Sequence, residues 1–472
     1  MRPLTQSRSP AVFVTAMLAL ASCATQDDAA LARRRPATVS SDFESGNIGA
    51  VQKLDDTEWV LSLRDDNDNP DLPDSWRTWW YVRFDNLSTT APTAVTVNNN
   101  VWPYYYVPVY SYDQNVWHRF DEAEVTQPDA SSIKVVKQFA QSTVWTARFY
   151  PYTLTDLDNY LGRCKPSNYV SREVVGETTQ GHPIEVVTIT NPSVDDAGKR
   201  RIWLHARTHP AETGSSFVLE GLIDFLLSGD GDAETLVSNF VVSIVPMHNI
   251  DGVVIGNYRT TPASENLESL WLRDPGDPFR LTPDAPHEVQ VLHDAIAATL
   301  QSPAAIPVTM ALNLHSSNSE PDTAPFFFPH FGPAALGYTA DEVALWTQQL
   351  AFADAVEAFY GTGRIEPRPA EGGPSFVTGN FPESWWWENT HADVMAMTLE
   401  TVYGRAGFAP RWVVPDDLRA LGHALALAML AYHGLPVVAA RTQPEAPRAG
   451  SARGLRFPDL YPPALEFQLK AE

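Results

Sequence analysis

From residue 185 to residue 432, apolar runs of strand length alternate with longer runs of helical length, and this alternation restricts the fold more than any other feature. Residues 185–190, 202–205, 240–246, 308–314 and 394–399 are rich in Val, Ile, Leu and Met and are too short for stable helices. Residues 217–227, 289–300, 341–359 and 416–432 have the length and apolar content of helices. Strands that are apolar on both faces and return through helices predict an α/β domain, a mixed sheet flanked by helices. Functional side chains in such a sheet collect at the carboxyl ends of the strands.

Chemistry-bearing residues stand at those ends. The run Ile202-Trp203-Leu204 leads into His209-Pro210-Ala211-Glu212 just before a helix. A histidine and a glutamate three apart across a turn can aim one nitrogen and one oxygen at a single point, as a zinc ion requires. A second pair of the same spacing, His182 and Glu185, runs straight into an extended segment, where residues three apart face opposite ways, so it is rejected as a metal site. Residues 308–314 end in His315, placed to be a third ligand. Residues 240–247 end in His248-Asn249-Ile250-Asp251-Gly252, followed by Gly256-Asn257-Tyr258-Arg259. Residues 394–399 deliver Glu400, a carboxylate that is costly to bury unless it is paired or employed.

The 472 residues allow two or three domains, and the formal charge of −24, without a basic patch, argues against nucleic acid as a partner. Arg2 and Arg8, the apolar run from Ala11 to Leu20 and then Leu20-Ala21-Ser22-Cys23 resemble a bacterial secretory signal ending in a lipobox. The expectation is a protein exported across the inner membrane and held to the envelope through lipidated Cys23, its sole link to a membrane; an ordinary cleaved signal is the alternative. Cys164, the other of the two cysteines, is then left unpaired and reads as a small core residue. Between 43 and 150, short runs rich in Trp, Tyr, Val and Thr, separated by Asp, Asn, Pro and Ser, predict a small all-β sandwich ahead of the α/β domain. Within it, Asp65 to Asp71 lacks the glycine and closing glutamate of a calcium loop and reads as a solvated hairpin loop. The cluster Trp102-Pro103-Tyr104-Tyr105-Tyr106 reads as a packed face rather than a sugar platform. The expected division is a signal peptide (1–22), a tether (23–41), the sandwich (42–157), the α/β domain (158–440) and a proline-rich tail (441–472).

Taken together these motifs resemble the zinc carboxypeptidase family, and within it the cytosolic carboxypeptidase branch. Ser45-Gly46-Asn47-Ile48 and Trp79-Trp80-Tyr81-Val82 are similar to that branch's β-sandwich. Arg207 to Thr213 resembles its zinc motif, Val245 to Arg259 the segment with its oxyanion arginine, and Thr398-Leu399-Glu400 the one with its catalytic glutamate. The resemblance implies one Zn²⁺ bound by His209, Glu212 and His315 with a position left for water. It also implies that Glu400 is the general base, that Arg259 faces the oxyanion, and that Asn257, Arg259 and Trp386 meet a peptide or protein substrate. Asp251 shapes its turn or orients a ligand histidine. Two departures bear on the substrate. Glu268-Ser269 stands where the family's carboxylate-gripping Asn-Arg pair belongs, with Arg273 or Arg280 as substitutes from a rearranged loop. Residues 379–387 hold tryptophans in place of the family's mobile tyrosine. Peptide hydrolysis is therefore expected, with an amidohydrolase or deacylase on non-peptide amides, or a zinc-holding binding protein, as the other readings.

Overall fold

The computed structural model describes residues 35–438, apart from 166 and 303–305. The leader, Cys23, the tether up to residue 34 and the tail from 441 lie outside the described residues. The first unit is built from β1 (Thr38–Ser40), β2 (Val51–Lys53), β3 (Glu58–Ser62), β4 (Tyr81–Asp85), β5 (Thr93–Asn98), β6 (Val109–Ser111), β7 (Trp117–Arg119), β8 (Val125–Asp129), β9 (Ser132–Lys137) and β10 (Val144–Ala147). They form two five-stranded sheets, β1-β4-β10-β6-β7 and β2-β3-β5-β9-β8. β1 lies in the stretch read as tether and pairs with β4.

Alternation along the strands explains the sandwich. In β5 every second residue is buried, and Val95 and Val97 meet Leu61, Val82, Phe84 and Val135 between the sheets. The stretch around β4 is buried on both sides. Trp80, Val82 and Phe84 enter the sandwich core, whereas Trp79 and Tyr81 point the other way into the core of the second unit. The first sheet is thus covered on its second face around Trp79 and Tyr81, where the two units share an apolar contact.

The second unit opens with α1 (Leu154–Cys164), whose Thr153 and Asp156 form a capping box that satisfies exposed amides of the first turn. Its last residue, Cys164, is free and buried. There follow β11 (Val170–Glu177), β12 (Pro183–Ile189), β13 (Arg200–Ala206), α2 (Gly214–Leu226), α3 (Gly231–Asn239), β14 (Phe240–Val245), α4 (Ile250–Ile255), the hairpin β15 (Arg273–Asp274) and β16 (Asp277–Leu281), and α5 (His287–Gln301). The rest comprises β17 (Val308–Ser317), β18 (Phe326–Phe327), α6 (Ala340–Tyr360), α7 (Ser375–Thr378), α8 (Pro382–Thr390), β19 (Met395–Val402) and α9 (Pro415–Tyr432). Seven strands form one mixed sheet in the order β11-β12-β14-β13-β17-β19-β18. Its centre, β14-β13-β17-β19, is parallel, and all six residues of β14 are buried, as a strand covered by helices on both faces requires. α2 and α9 pack so closely that a Cβ on Gly221 would lie 1.9 Å from the carbonyl oxygen of Arg419. Glycine is what permits that approach. Among the described residues no helix is long and apolar enough to cross a membrane.

One local expectation is corrected. Asp65 to Asp71 is no solvated hairpin tip: Asp66 is 2 % exposed, and its carboxylate accepts the backbone N–H groups of Tyr258, Arg259 and Thr260 in the second unit. An acidic run looks solvated in sequence because the three amides that neutralise it lie far along the chain. The aromatic cluster behaves as a packed face, with Trp102 and Tyr104 stacked at 5.7 Å and buried Tyr106 accepting a hydrogen bond from Trp80 Nε1.

Candidate metal centre

The turn after β13 is held under strain. Arg207 adopts φ 60°, a left-handed conformation rare for a side chain of this size, and its buried guanidinium spans the turn. It donates to the carbonyl oxygens of Pro210 and Tyr152 and to Ser216 Oγ, each at 2.9 Å. That brace sets His209 and Glu212 side by side at the mouth of the sheet, with His209 Nδ1 2.9 Å from Glu212 Oε1. His315, near the end of neighbouring β17, brings its Nδ1 to 2.8 Å from Glu212 Oε2 and 3.1 Å from His209 Nδ1.

The three residues are 2–3 % exposed, and their ligand atoms lie within 4.8 Å of one another. Two imidazole Nδ1 atoms this close cannot both present lone pairs without a cation between them, and two nitrogens with a carboxylate oxygen suit zinc. The triad is consistent with zinc binding. Glu212 is held ionised, as a ligand carboxylate must be: burial pushes it up, but His209 and His315 outweigh that and hold it below the usual carboxylate range. His315 is the converse, its burial outweighed by the Glu268 and Glu212 carboxylates, which keep its imidazole protonated to higher pH.

Behind each histidine stands an acceptor that sequence reasoning missed. His209 Nε2 donates to Asn266 Oδ1 at 3.0 Å, and His315 Nε2 to Glu268 Oε2 at 3.2 Å. Such bonds fix the tautomer, leaving Nδ1 for the metal. Glu268 itself is held by Asn313 Nδ2 at 3.0 and 3.1 Å, and Asn313 also reaches Glu383 Oε1. Burial, then the nearby Glu268, pushes the Glu383 carboxyl up to about 7. The available signal was spacing: Asn313 lies two residues before His315 on the same strand face, and Asn266 and Glu268 share a phase in one short segment. Replacing Glu268 by alanine is expected to weaken zinc binding about 10–100-fold, read by competition with a chromophoric chelator. An unchanged affinity would show that His315 needs no such support.

Glu400 lies on β19 directly beside His315 in the parallel register, so the two side chains leave the same face of the sheet. Its Oε2 is enclosed and finds no hydrogen-bond partner among the described residues. Burial and then the Glu212 carboxylate raise its pKa well above the ordinary value. Arg259 lies on the turn after α4 with its guanidinium 5.2 Å from the ring centre of Trp76, and its Nε also lacks a partner. Asn257 spends its amide nitrogen on Asn67 and Thr260, holding that turn. Trp386 is 2 % exposed and packs edge-to-face on Trp385, inside α8. Arg273 is tied to Gly379 and Glu388, while Arg280 pairs with Asp277 at the surface. Asp251 accepts from Thr178, Thr179, Gln180 and His182; it shapes its own region and touches no ligand histidine. His182 is thereby engaged, and Glu185 pairs with Arg172, as expected of a spacing that is no metal site.

Residues 39–149 match the cytosolic carboxypeptidase N-terminal domain, and residues 159–272 match the family described as zinc carboxypeptidase. His209, Glu212, Arg259, Asn266 and Glu268 fall inside the second match, whereas His315 and Glu400 lie beyond it. Cytosolic carboxypeptidase 2 of Homo sapiens is 31 % identical over 255 residues, 48 % of this chain and 28 % of that protein. Cytosolic carboxypeptidase 6 of Mus musculus is 32 % identical over 254 residues, 50 % of this chain and 46 % of that protein. The matched part thus spans less than half of either relative. A metallo-carboxypeptidase from Burkholderia cenocepacia superposes with a TM-score of 0.69 at 23 % identity, covering 85 % of this chain and 99 % of its own, which establishes the fold. The expected envelope location through lipidated Cys23 is overturned by these matches, which are to a domain and to relatives named cytosolic. The chain thus carries a zinc carboxypeptidase domain, with a cytosolic carboxypeptidase N-terminal domain ahead of it.

Proposed function

We propose that the chain is a zinc-dependent hydrolase of metallocarboxypeptidase type that cleaves peptide bonds in the cytoplasm, with the unit that opens at Leu154 as its catalytic domain and the sandwich that opens at Thr38 before it. His209, Glu212 and His315 would hold the zinc ion, which when bound would supply a Lewis acid for the carbonyl and a water of lowered pKa. Glu400 takes the proton of the attacking water and passes it to the leaving amine. Arg259 faces the carbonyl oxygen as negative charge develops on it, where a fixed cation in a dry site counts for most. The observation that carries this reading is Glu400: a half-buried carboxylate paired in register with a ligand histidine, with one oxygen enclosed and left without a partner among the described residues. A protein that merely held zinc would gain nothing from it.

The substrate end is distinctive. Glu268 and Ser269 occupy the segment where relatives would carry a carboxylate grip, and Glu268 is turned toward His315 instead. A substrate therefore need not end in a free carboxylate at the cleaved residue, which keeps an amidohydrolase reading alive beside the peptidase one. Peptides with free and with amidated C-termini, incubated with the zinc-loaded protein and followed by mass spectrometry, separate these cases. Cleavage of both at rates within about threefold is expected. A preference for the free acid above about 100-fold, the scale of a lost charged contact, would show that another group grips the carboxylate.

A further inference from the structure

Of the places where the sandwich meets the catalytic unit, one is the turn bearing Arg259. Asp66 Oδ1 accepts Tyr258 N–H at 2.7 Å, while Oδ2 accepts Arg259 N–H and Thr260 N–H at 2.8 Å and the Thr260 hydroxyl at 3.0 Å. Three successive amides converging on one carboxylate form a cationic nest, and charge-assisted bonds of this kind are among the stronger ones available. Next to Asp66, Asn67 adopts φ 57° and donates to Thr261 O and Ser264 Oγ at 2.9 Å, while its Oδ1 accepts from Asn257 at 2.9 Å. Asparagine adopts this left-handed conformation readily, and three bonds to the other unit fix it here. From the same loop region, the face of Trp76 lies beside the Arg259 guanidinium, a cation–π contact that restricts the long side chain without using any of its N–H groups. Ser45 and Asn47 add bonds to Val253, Val254 and Gly256 at the start of the same segment. The sandwich therefore holds the whole stretch from Val253 to Ser264, which leads directly to Asn266 and Glu268 behind the two ligand histidines.

We propose that the β-sandwich completes the catalytic centre, with Asp66 as a positioning residue that acts through the Tyr258–Thr260 backbone, and Trp76 through the guanidinium, to aim Arg259 at the reacting carbonyl. This rests on the hydrolase reading above. An asparagine at position 66 keeps the shape but turns an acceptor into a donor that meets an amide N–H, so the turn loosens while the metal ligands, on other elements, stay in place.

The test uses the full chain with zinc: D66N, W76L, R259A and the double variants D66N/R259A and W76L/R259A, assayed for kcat and KM, zinc content and amide hydrogen exchange. D66N is expected to retain one zinc, to speed exchange over residues 257–261 about tenfold or more, and to lower kcat about 10–100-fold with KM within about threefold. R259A lowers kcat about 10²–10³-fold, and on that background D66N costs less than about threefold, because the two act as one unit. W76L leaves the fold undisturbed at its half-buried position and lowers kcat several-fold only while Arg259 is present. Equal costs of D66N in the presence and absence of Arg259, or faster exchange with kcat unchanged, would overturn the proposal. If D66N does not fold, the W76L pair decides by the same criterion. A wild-type protein that holds zinc and cleaves nothing would defeat the hydrolase reading instead, and the proposal with it; exchange at 257–261 would then report only whether Asp66 holds the turn.

Discussion

Glu400→Gln is expected to leave the protein folded, loaded with one zinc and able to bind substrate, yet to lower kcat by about 10²–10⁴-fold, the range for loss of a positioned general base. Glutamine has the same shape and cannot take up a proton. The carboxylate lies in the register beside His315, and the enclosed Oε2 has no protein partner, so its removal breaks no internal hydrogen bond recorded there. The sign of the stability effect follows from the same environment. Burial and Glu212 raise the Glu400 pKa in the folded state, so the ionised form is disfavoured there, and a neutral amide should leave the melting temperature unchanged or higher. Steady-state kinetics with metal analysis on the same sample check both halves. A variant that turns over like the wild type would reduce Glu400 to a half-buried structural acid.

Removing a ligand histidine has an effect as large on activity and an unequal one on folding. His209→Ala and His315→Ala should both drop zinc from one per chain to near none and hydrolysis to background. His315, however, sits between two buried carboxylates, 2.8 Å from Glu212 Oε2 and 3.2 Å from Glu268 Oε2. Without it both are buried with a lost partner, a change that costs about 3–5 kcal/mol. His209 approaches only Glu212 among the carboxylates, and its loss leaves His315 to hold that oxygen pair, so about 1–3 kcal/mol is expected. Denaturant unfolding of the zinc-free variants gives the comparison. Equal destabilisation would mean that the histidines are electrostatically equivalent, against the geometry.

Most of the sheet and the ligand positions could be read from the chain, because parallel strands buried on both faces leave uninterrupted apolar runs and their ends are marked by the first polar residues. The runs ending at His315 and Glu400 are β17 and β19, found side by side with those two residues in register. What stayed hidden depends on long-range partners. Asp66 looked solvated because its amides lie far away in sequence; Glu268 looked like a vacant substrate contact because its partner, His315, comes from another strand. Helix α1 begins within a stretch that read only as a domain crossing, although Thr153 and Asp156 carry a capping-box spacing. The tryptophans of α8 could not be sorted into pocket and core by composition. Their burial against Phe279, His293 and one another places Trp385 and Trp386 inside.

His209, Glu212 and His315 are expected to share one zinc ion, with Glu400 at its side. Anomalous diffraction recorded at the zinc edge from crystals of the zinc-saturated protein tests it most directly. A single strong peak about 2.0–2.3 Å from His209 Nδ1, a Glu212 oxygen and His315 Nδ1 is predicted, with Glu400 facing its open side. A peak elsewhere, such as between His182 and Asp251, with none at the triad, would contradict the account.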